Sequence, residues 1–211
     1  MAAIDHLVYV VPDLEEAIDR FEGELGVRPV VGGRHEGMGT WNALLALRSD
    51  AAPSYLELIA SDPEQPDPVG PRPFGIDDDP GPRLATFAMR PTADQTIDDV
   101  IAVLRRNGFD PGEAVPMSRT TPDGDLLAWH LTMPTLAAGG LVPFLIDWGD
   151  TPMPSDTIPV DAALESLSAG TDDDRVVDLV GELQPDPLTL DAPSGQLLSA
   201  TLRSASGSLR L

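Results

Sequence analysis

Short alternating runs of apolar and polar residues, broken by turns and by stretches of helical period, organise this chain from its first residues. Ile4 to Tyr9 reads I-D-H-L-V-Y, β-prone throughout. A period of two puts Ile4, His6 and Val8 on one face and Asp5, Leu7 and Tyr9 on the other. This places His6 on the inner wall of a curved sheet that the rest of the chain closes into a cleft. Asp13 then caps a helix, Glu16 completes a capping box, and Gly26 ends it. Leu14, Ala17, Ile18, Phe21 and Leu25 form its buried stripe. A glycine-rich stretch, Gly32 to Gly39, leads to strands over Thr40 to Leu47 and Ser54 to Ala60.

Ser61 to Pro82 is rich in Pro, Asp and Gly, has no period, and reads as an exposed linker. The same order then recurs. Leu84 to Arg90 is a strand, and Thr96 to Asn107 a helix with Ile97, Val100, Ile101 and Leu104 on one face. Strands follow at Glu113 to Met117, Leu126 to Thr132 and Leu141 to Trp148, with Arg119 to Gly124 as a turn. After a connector from Asp150 to Pro159 comes a shorter third copy. It holds a strand at Ala162 to Ser168, a helix capped by Asp172, and strands near Leu188–Leu190, Gln196–Arg203 and Ser208–Leu211. What repeats is element order rather than residues.

Charge narrows the list of partners. The formal net charge is -22, and all 13 basic residues are arginine. Phosphate would be repelled, which argues against nucleic acid and anionic membranes. The acidity fits either a GC-rich genome or a high-salt cytoplasm, and neither bears on function. With no membrane-length apolar run and no signal-peptide layout, the expectation is a soluble, cytoplasmic protein. The absence of cysteine excludes disulfides and thiol nucleophiles. Neither a G-x-S-x-G elbow nor a dinucleotide or Walker loop occurs.

Several residues are candidates for chemistry. Glu57 shares a strand face with Tyr55 and Ile59, and an unpaired buried carboxylate is costly, so it should face a polar cavity. His35 and Arg34 lie among glycines that permit close approach to a ligand. Asn42 could orient a ligand or an acid, or be a satisfied edge amide. Arg119 could hold a substrate carboxylate through its planar fork, or pair with a surface acid. Trp129 and Trp148 are either core or cleft wall. The acidic triplets at Asp77 and Asp172 lack calcium-loop spacing and read as solvated or capping.

Four stretches together resemble the vicinal oxygen chelate superfamily of glyoxalases, bleomycin-resistance proteins and extradiol dioxygenases, in its glyoxalase-like domain branch. They are Ile4 to Leu14 (I-D-H-L-V-Y-V-V-P-D-L), Gly32 to Leu44, Tyr55 to Ile59 (Y-L-E-L-I) and Pro143 to Gly149 (P-F-L-I-D-W-G). The resemblance implies an α+β fold of repeated βαβββ modules forming a cupped mixed sheet around a cleft. Paired modules would occupy residues 4–60 and 84–149 within 1–150, with a shorter third module over 151–211 packed on the same domain. It implies His6 and Glu57 as metal ligands or a general acid/base pair, with Zn, Mn, Fe or Ni as the divalent metal. The second-module counterpart of His6 is at or near Thr86, and that of Glu57 is Asp147 unless the register slips by one residue. The four-ligand set is therefore not intact, and either His35 or His130 substitutes or there is no catalytic metal. Lyase, isomerase or dioxygenase chemistry on a small oxygenated molecule is one expectation. The other is a non-catalytic, sequestering binder of a small ligand. The chain would act as a monomer or homodimer.

Overall fold

Strand β1 (Ala3–Val10) sits at the middle of the paired modules and sets their geometry. Helix α1 (Leu14–Leu25) follows, with Asp13 Oδ1 accepting from the Glu16 N–H at 2.9 Å. Gly26 closes it at φ 66, a left-handed turn that glycine adopts without a Cβ clash. Then come β2 (Val30–His35), β3 (Thr40–Arg48) and β4 (Ser54–Ser61). The order recurs as β5 (Arg83–Arg90), α2 (Ile97–Arg106), β6 (Val115–Thr120), β7 (Leu126–Leu131) and β8 (Phe144–Asp147). After the one-turn helix α3 (Pro154–Thr157) it recurs again as β9 (Ala162–Gly170), α4 (Asp174–Leu183), β10 (Leu188–Asp191), β11 (Leu198–Ser204) and β12 (Ser208–Arg210). The structure, a computed structural model, describes residues 2–49, 52–121, 124, 126–192 and 198–211.

The fold is mixed α+β, with twelve strands in one sheet ordered β12-β11-β9-β3-β4-β1-β5-β8-β7-β6, β2 pairing β3 and β10 pairing β9. Helices α1, α2 and α4 bury their apolar stripes on one face. Phe21, Leu104, Leu179 and Leu202 belong to that single core with Leu7 and Leu58. The opposite face curves around a second cluster that includes Val8, Tyr55, Phe74, Phe144 and both Trp129 and Trp148.

Strict alternation fails in β1. Its antiparallel ladder with β5 runs Ile4↔Met89, then His6↔Ala88, so Asp5 is an extra residue in the ladder. This is a β-bulge, which re-aims side chains. Ile4 and Leu7 both enter the helix-side core, while Asp5 and His6 lie side by side between them. The predicted grouping of Ile4 with His6, and of Asp5 with Leu7, is therefore corrected. A matching shift, Val8↔Thr86 then Tyr9↔Leu84, makes Ala85 the extra residue of β5. The pairings His6↔Ala88 and Val8↔Thr86 exchange under a two-fold axis between the strands. Asp5 and His6 thus correspond to Ala85 and Thr86.

Other expectations shift as well. Arg119 is on β6 opposite Leu127, not in a turn; of the expected turn, Pro122 and Asp123 lie outside the described residues. His35 ends a strand. The linker from Ser61 to Pro82 is not wholly exposed, since Phe74 and Ile76 are buried. The third helix is capped by Asp173 rather than Asp172, and the start of the expected Gln196–Arg203 strand, at Gln196 and Leu197, lies outside the described residues.

Because one core joins all three repeats, Phe21→Ala and Leu167→Ala should each cost about 2–5 kcal/mol within one shared unfolding transition. Calorimetry checks this. A separate transition for residues beyond 150, moved by Leu167→Ala alone, would show that the third repeat is energetically independent.

Candidate functional site

The curved face encloses a cavity of about 70 Å³ whose polar groups are few. His6, 4% exposed, projects from β1, and its Nδ1 lies 2.7 Å from Asp5 Oδ1. Asp5 Oδ2 accepts from Trp148 Nε1 at 3.1 Å and from Arg90 Nη1 at 3.4 Å. With donors on its Oδ2, Asp5 accepts the hydrogen bond of the His6 Nδ1–H on Oδ1. That fixes the tautomer and leaves the Nε2 lone pair facing the cavity. The imidazole stacks on Tyr55 at 4.6 Å and meets the Phe144 ring edge-on at 5.4 Å. Burial, then the charges of Asp5 and Glu57, push the Tyr55 phenol well above its ordinary value, so it remains a neutral stacking platform.

Glu57 comes from β4, where Val8↔Glu57 pairing places it beside β1. Its Oε2 lies 3.8 Å from His6 Nε2, too long for a hydrogen bond and wide enough for both to face one ligand atom. Asn42 Nδ2 donates to Glu57 Oε1 at 2.6 Å and lies 3.4 Å from His35 Nε2. His35 Nδ1 meets Thr40 Oγ1 at 3.0 Å. Burial lowers the His35 imidazole below its ordinary value, and the positive charge of Arg119 adds to this against the pull of Glu57. Arg119 is 6% exposed; burial lowers its guanidinium, opposed by Glu57 and Tyr55.

His6, Glu57, His35, Asn42, Arg119 and Trp129 thus come together around one cavity. Asp147 does not join them. Along β8, Phe144 and Ile146 face the cavity with Trp148 beyond, so Asp147 points the other way and accepts from the Gly149 N–H. Ala88↔Phe144 pairing, set against Val8↔Glu57, makes Phe144 the counterpart of Glu57. His130 pairs opposite Asp147 and is exposed. Arg34 is held outside by Asp62 and Glu64 and lies over the Trp41 ring. Sequence reasoning missed Asp5 and Phe74. An aspartate within an apolar strand, next to a histidine, was the available signal for the first. Phe74 packs 5.8 Å from Phe144 as part of the cavity wall.

The resemblance implies a divalent metal, and the residues fit it poorly. The paired module offers Thr86 and Phe144 where ligands would stand. The Asn42 amide lies between Glu57 and His35, where a shared cation would sit. Arg119 adds like charge beside them. Among the described residues, no group of three or more His, Cys, Asp or Glu is placed to hold a metal ion.

The cupped sheet and its enclosed site define a protein of the vicinal oxygen chelate class. The sequence model of the glyoxalase-like domain matches residues 4–182, and the chain belongs to that family. Comparison with curated proteins finds no match. Among solved structures, a hypothetical protein from Staphylococcus aureus is similar over 100% of this chain and 85% of its own, at 16% identity and a TM-score of 0.60. Methylmalonyl-CoA epimerase from Mycobacterium tuberculosis aligns at 21% identity and a TM-score of 0.42, over 69% of this chain and 87% of its own. A methylmalonyl-CoA epimerase in complex with methylmalonyl-CoA and NH4+ aligns at 22% and 0.46, over 73% and 99%. No helix among the described residues is long and apolar enough to cross a membrane.

Two outcomes follow from this geometry. The unfolded chain protonates His35 near its ordinary value of about 6.5, whereas the folded chain resists until lower pH. The folded state then binds fewer protons in that window. Stability is full above about 6.5 and falls as pH drops below it. His35→Gln should make the loss between about pH 7 and 5 shallower in denaturant titrations, and equal slopes would show that the imidazole is not desolvated. Adding Zn, Mn, Fe or Ni should produce no thermal shift that His6→Ala and Glu57→Ala both abolish. Stoichiometric metal by elemental analysis, lost in both variants, would refute the poor fit.

Proposed function

We propose that this glyoxalase-like protein takes a small oxygenated molecule into the cup formed by its first two βαβββ modules and moves a proton on it. The observation that carries this is the line Asp5–His6–Glu57, with 2.7 Å from Asp5 Oδ1 to His6 Nδ1 and 3.8 Å from His6 Nε2 to Glu57 Oε2. His6 Nε2 accepts the proton of a C–H next to a carbonyl, and the electron pair moves onto the carbonyl oxygen. Asp5 stabilises the imidazolium that forms, and the proton returns at another face or position. Glu57 serves as the second proton carrier. The buried guanidinium of Arg119 offsets the charge that builds on oxygen, in a cavity that is otherwise apolar. This is isomerase or lyase chemistry that needs no electron acceptor.

A second reading, a non-catalytic binder that sequesters its ligand, is favoured by one observation. The other half of the cup carries Ala85, Thr86 and Phe144 where the first carries Asp5, His6 and Glu57.

Hydrogen exchange separates the two. Small carbonyl compounds with an acidic C–H are incubated with the protein in D2O, and NMR follows loss of the C–H signal. The enzyme reading expects exchange with at least one compound, slowed by roughly 10²–10⁴-fold in His6→Gln. Compounds that bind without exchanging support the binder, and exchange unchanged in His6→Gln removes His6 from the mechanism.

A further inference from the structure

Among the described residues, ten of the 13 arginines pair with carboxylates, as an acidic chain would lead one to expect. Arg119 is buried and forms no ion pair among the described residues. Its Nη1 is fully buried and has no hydrogen-bond partner there. Leaving a guanidinium nitrogen dry and unpaired costs more than leaving a neutral donor so. Beside it lies a second orphan of opposite character, the acceptor Asn42 Oδ1. Both crowd the point where a side chain on Gly32 would begin: a Cβ there would meet Asn42 Oδ1 at 2.3 Å and Arg119 Nη1 at 3.1 Å. The missing side chain at Gly32 is what leaves room for the two groups. A third orphan, the buried indole N–H of Trp129, belongs to a side chain that lines the same cavity from β7.

We propose that the ligand of this cup is a short 2-hydroxy carboxylate. The carboxylate accepts from Arg119 Nη1, and the neighbouring hydroxyl donates to Asn42 Oδ1. Trp129 Nε1 supplies a further donor to the acid end. A donor and an acceptor side by side match an acid whose hydroxyl is one carbon away. They match neither a plain carboxylate nor a neutral ketone. Size agrees: about 70 Å³ is below the ~150 Å³ of a cavity that holds benzene. The enclosed space therefore takes a short acid head, and any longer tail passes out of the mouth. This inference rests on the cup being a small-molecule site, and it names the substrate class; the hydrogen at C2 of such an acid is next to the carboxyl carbonyl.

The test is calorimetric titration of the full chain with lactate, propionate and lactamide, with tryptophan emission as a second readout of the cup. Lactate should bind, and propionate and lactamide should each bind about tenfold more weakly or worse. Arg119→Met should weaken lactate to the level of lactamide. Calorimetry reads binding whether or not the C–H exchanges, so the anchor is judged apart from proton transfer, and Arg34→Gln, whose guanidinium lies outside the cup, should leave lactate affinity unchanged. No binding of lactate to the native chain, equal binding of lactate and lactamide, or undiminished binding in folded Arg119→Met overturns the proposal. Should Arg119→Met fail to fold, the three ligands on the native chain decide it.

Discussion

A single extra residue in the central strand decides what this cup can do. Asp5 has no place in the regular ladder of β1 with β5, and the bulge it makes brings its carboxylate level with the His6 ring. A buried carboxylate is expensive unless donors surround it. Here His6, Trp148 and Arg90 do so, from β1, the chain just beyond β8, and the end of β5. The cost of burial is thus offset by contacts that tie three parts of the sheet to one carboxylate. The same contacts leave His6 only one nitrogen to present. Removing Asp5 would loosen both the seam and the tautomer, so stability and site geometry are not separable at this position.

The two-fold relation of the strands shows how asymmetric the cup is. The bulge survives in β5, yet it holds Ala85, and the position of His6 is taken by Thr86. Backbone geometry is therefore shared by the two halves, while Asp5, His6 and Glu57 have no ionisable counterparts in the second, which contributes Arg119 from β6 instead. Phe144 in place of Glu57 brings an aromatic edge against His6 rather than another carboxylate. Polar groups on one wall and aromatic rings on the other give a site where a ligand has a defined orientation. The apolar wall also lowers the local dielectric, which strengthens each of the few charges that remain.

Much of this was legible from periodicity. Periods of two and near 3.6 marked most strands and the three long helices, but not β2, which begins before the glycine-rich stretch and runs into it, and β1 and β4 bury both faces. The failures share a cause. Alternation assumes a regular ladder, so it put Asp5 with Leu7 and could not see the bulge. The register of β8 was open by one residue, and Asp147 fell on the outer face as a result. Arg119 sat among turn formers, Ser, Thr, Pro and Gly, but pairing with β7 carried β6 through it. Phe74 was hidden in a proline-rich stretch whose composition signals exposure, while its ring packs against Phe144 in the cup's apolar cluster.

The net charge of -22 bears on an anionic ligand in an unexpected way. At long range such a surface repels an acid, but over distances beyond about 8–10 Å ordinary salt screens that repulsion. Inside the cup the relevant charges are few and close. There Arg119, which has no ion-pair partner among the described residues, is the cation an acid meets, with the Glu57 carboxylate in the same cavity. A ligand that neutralised Arg119 would leave both of the second module's arginines near the site paired: Arg119 with the ligand, Arg90 with Asp5. Glu57 is then left with the Asn42 amide on one side and the Nε2 of His6 on the other.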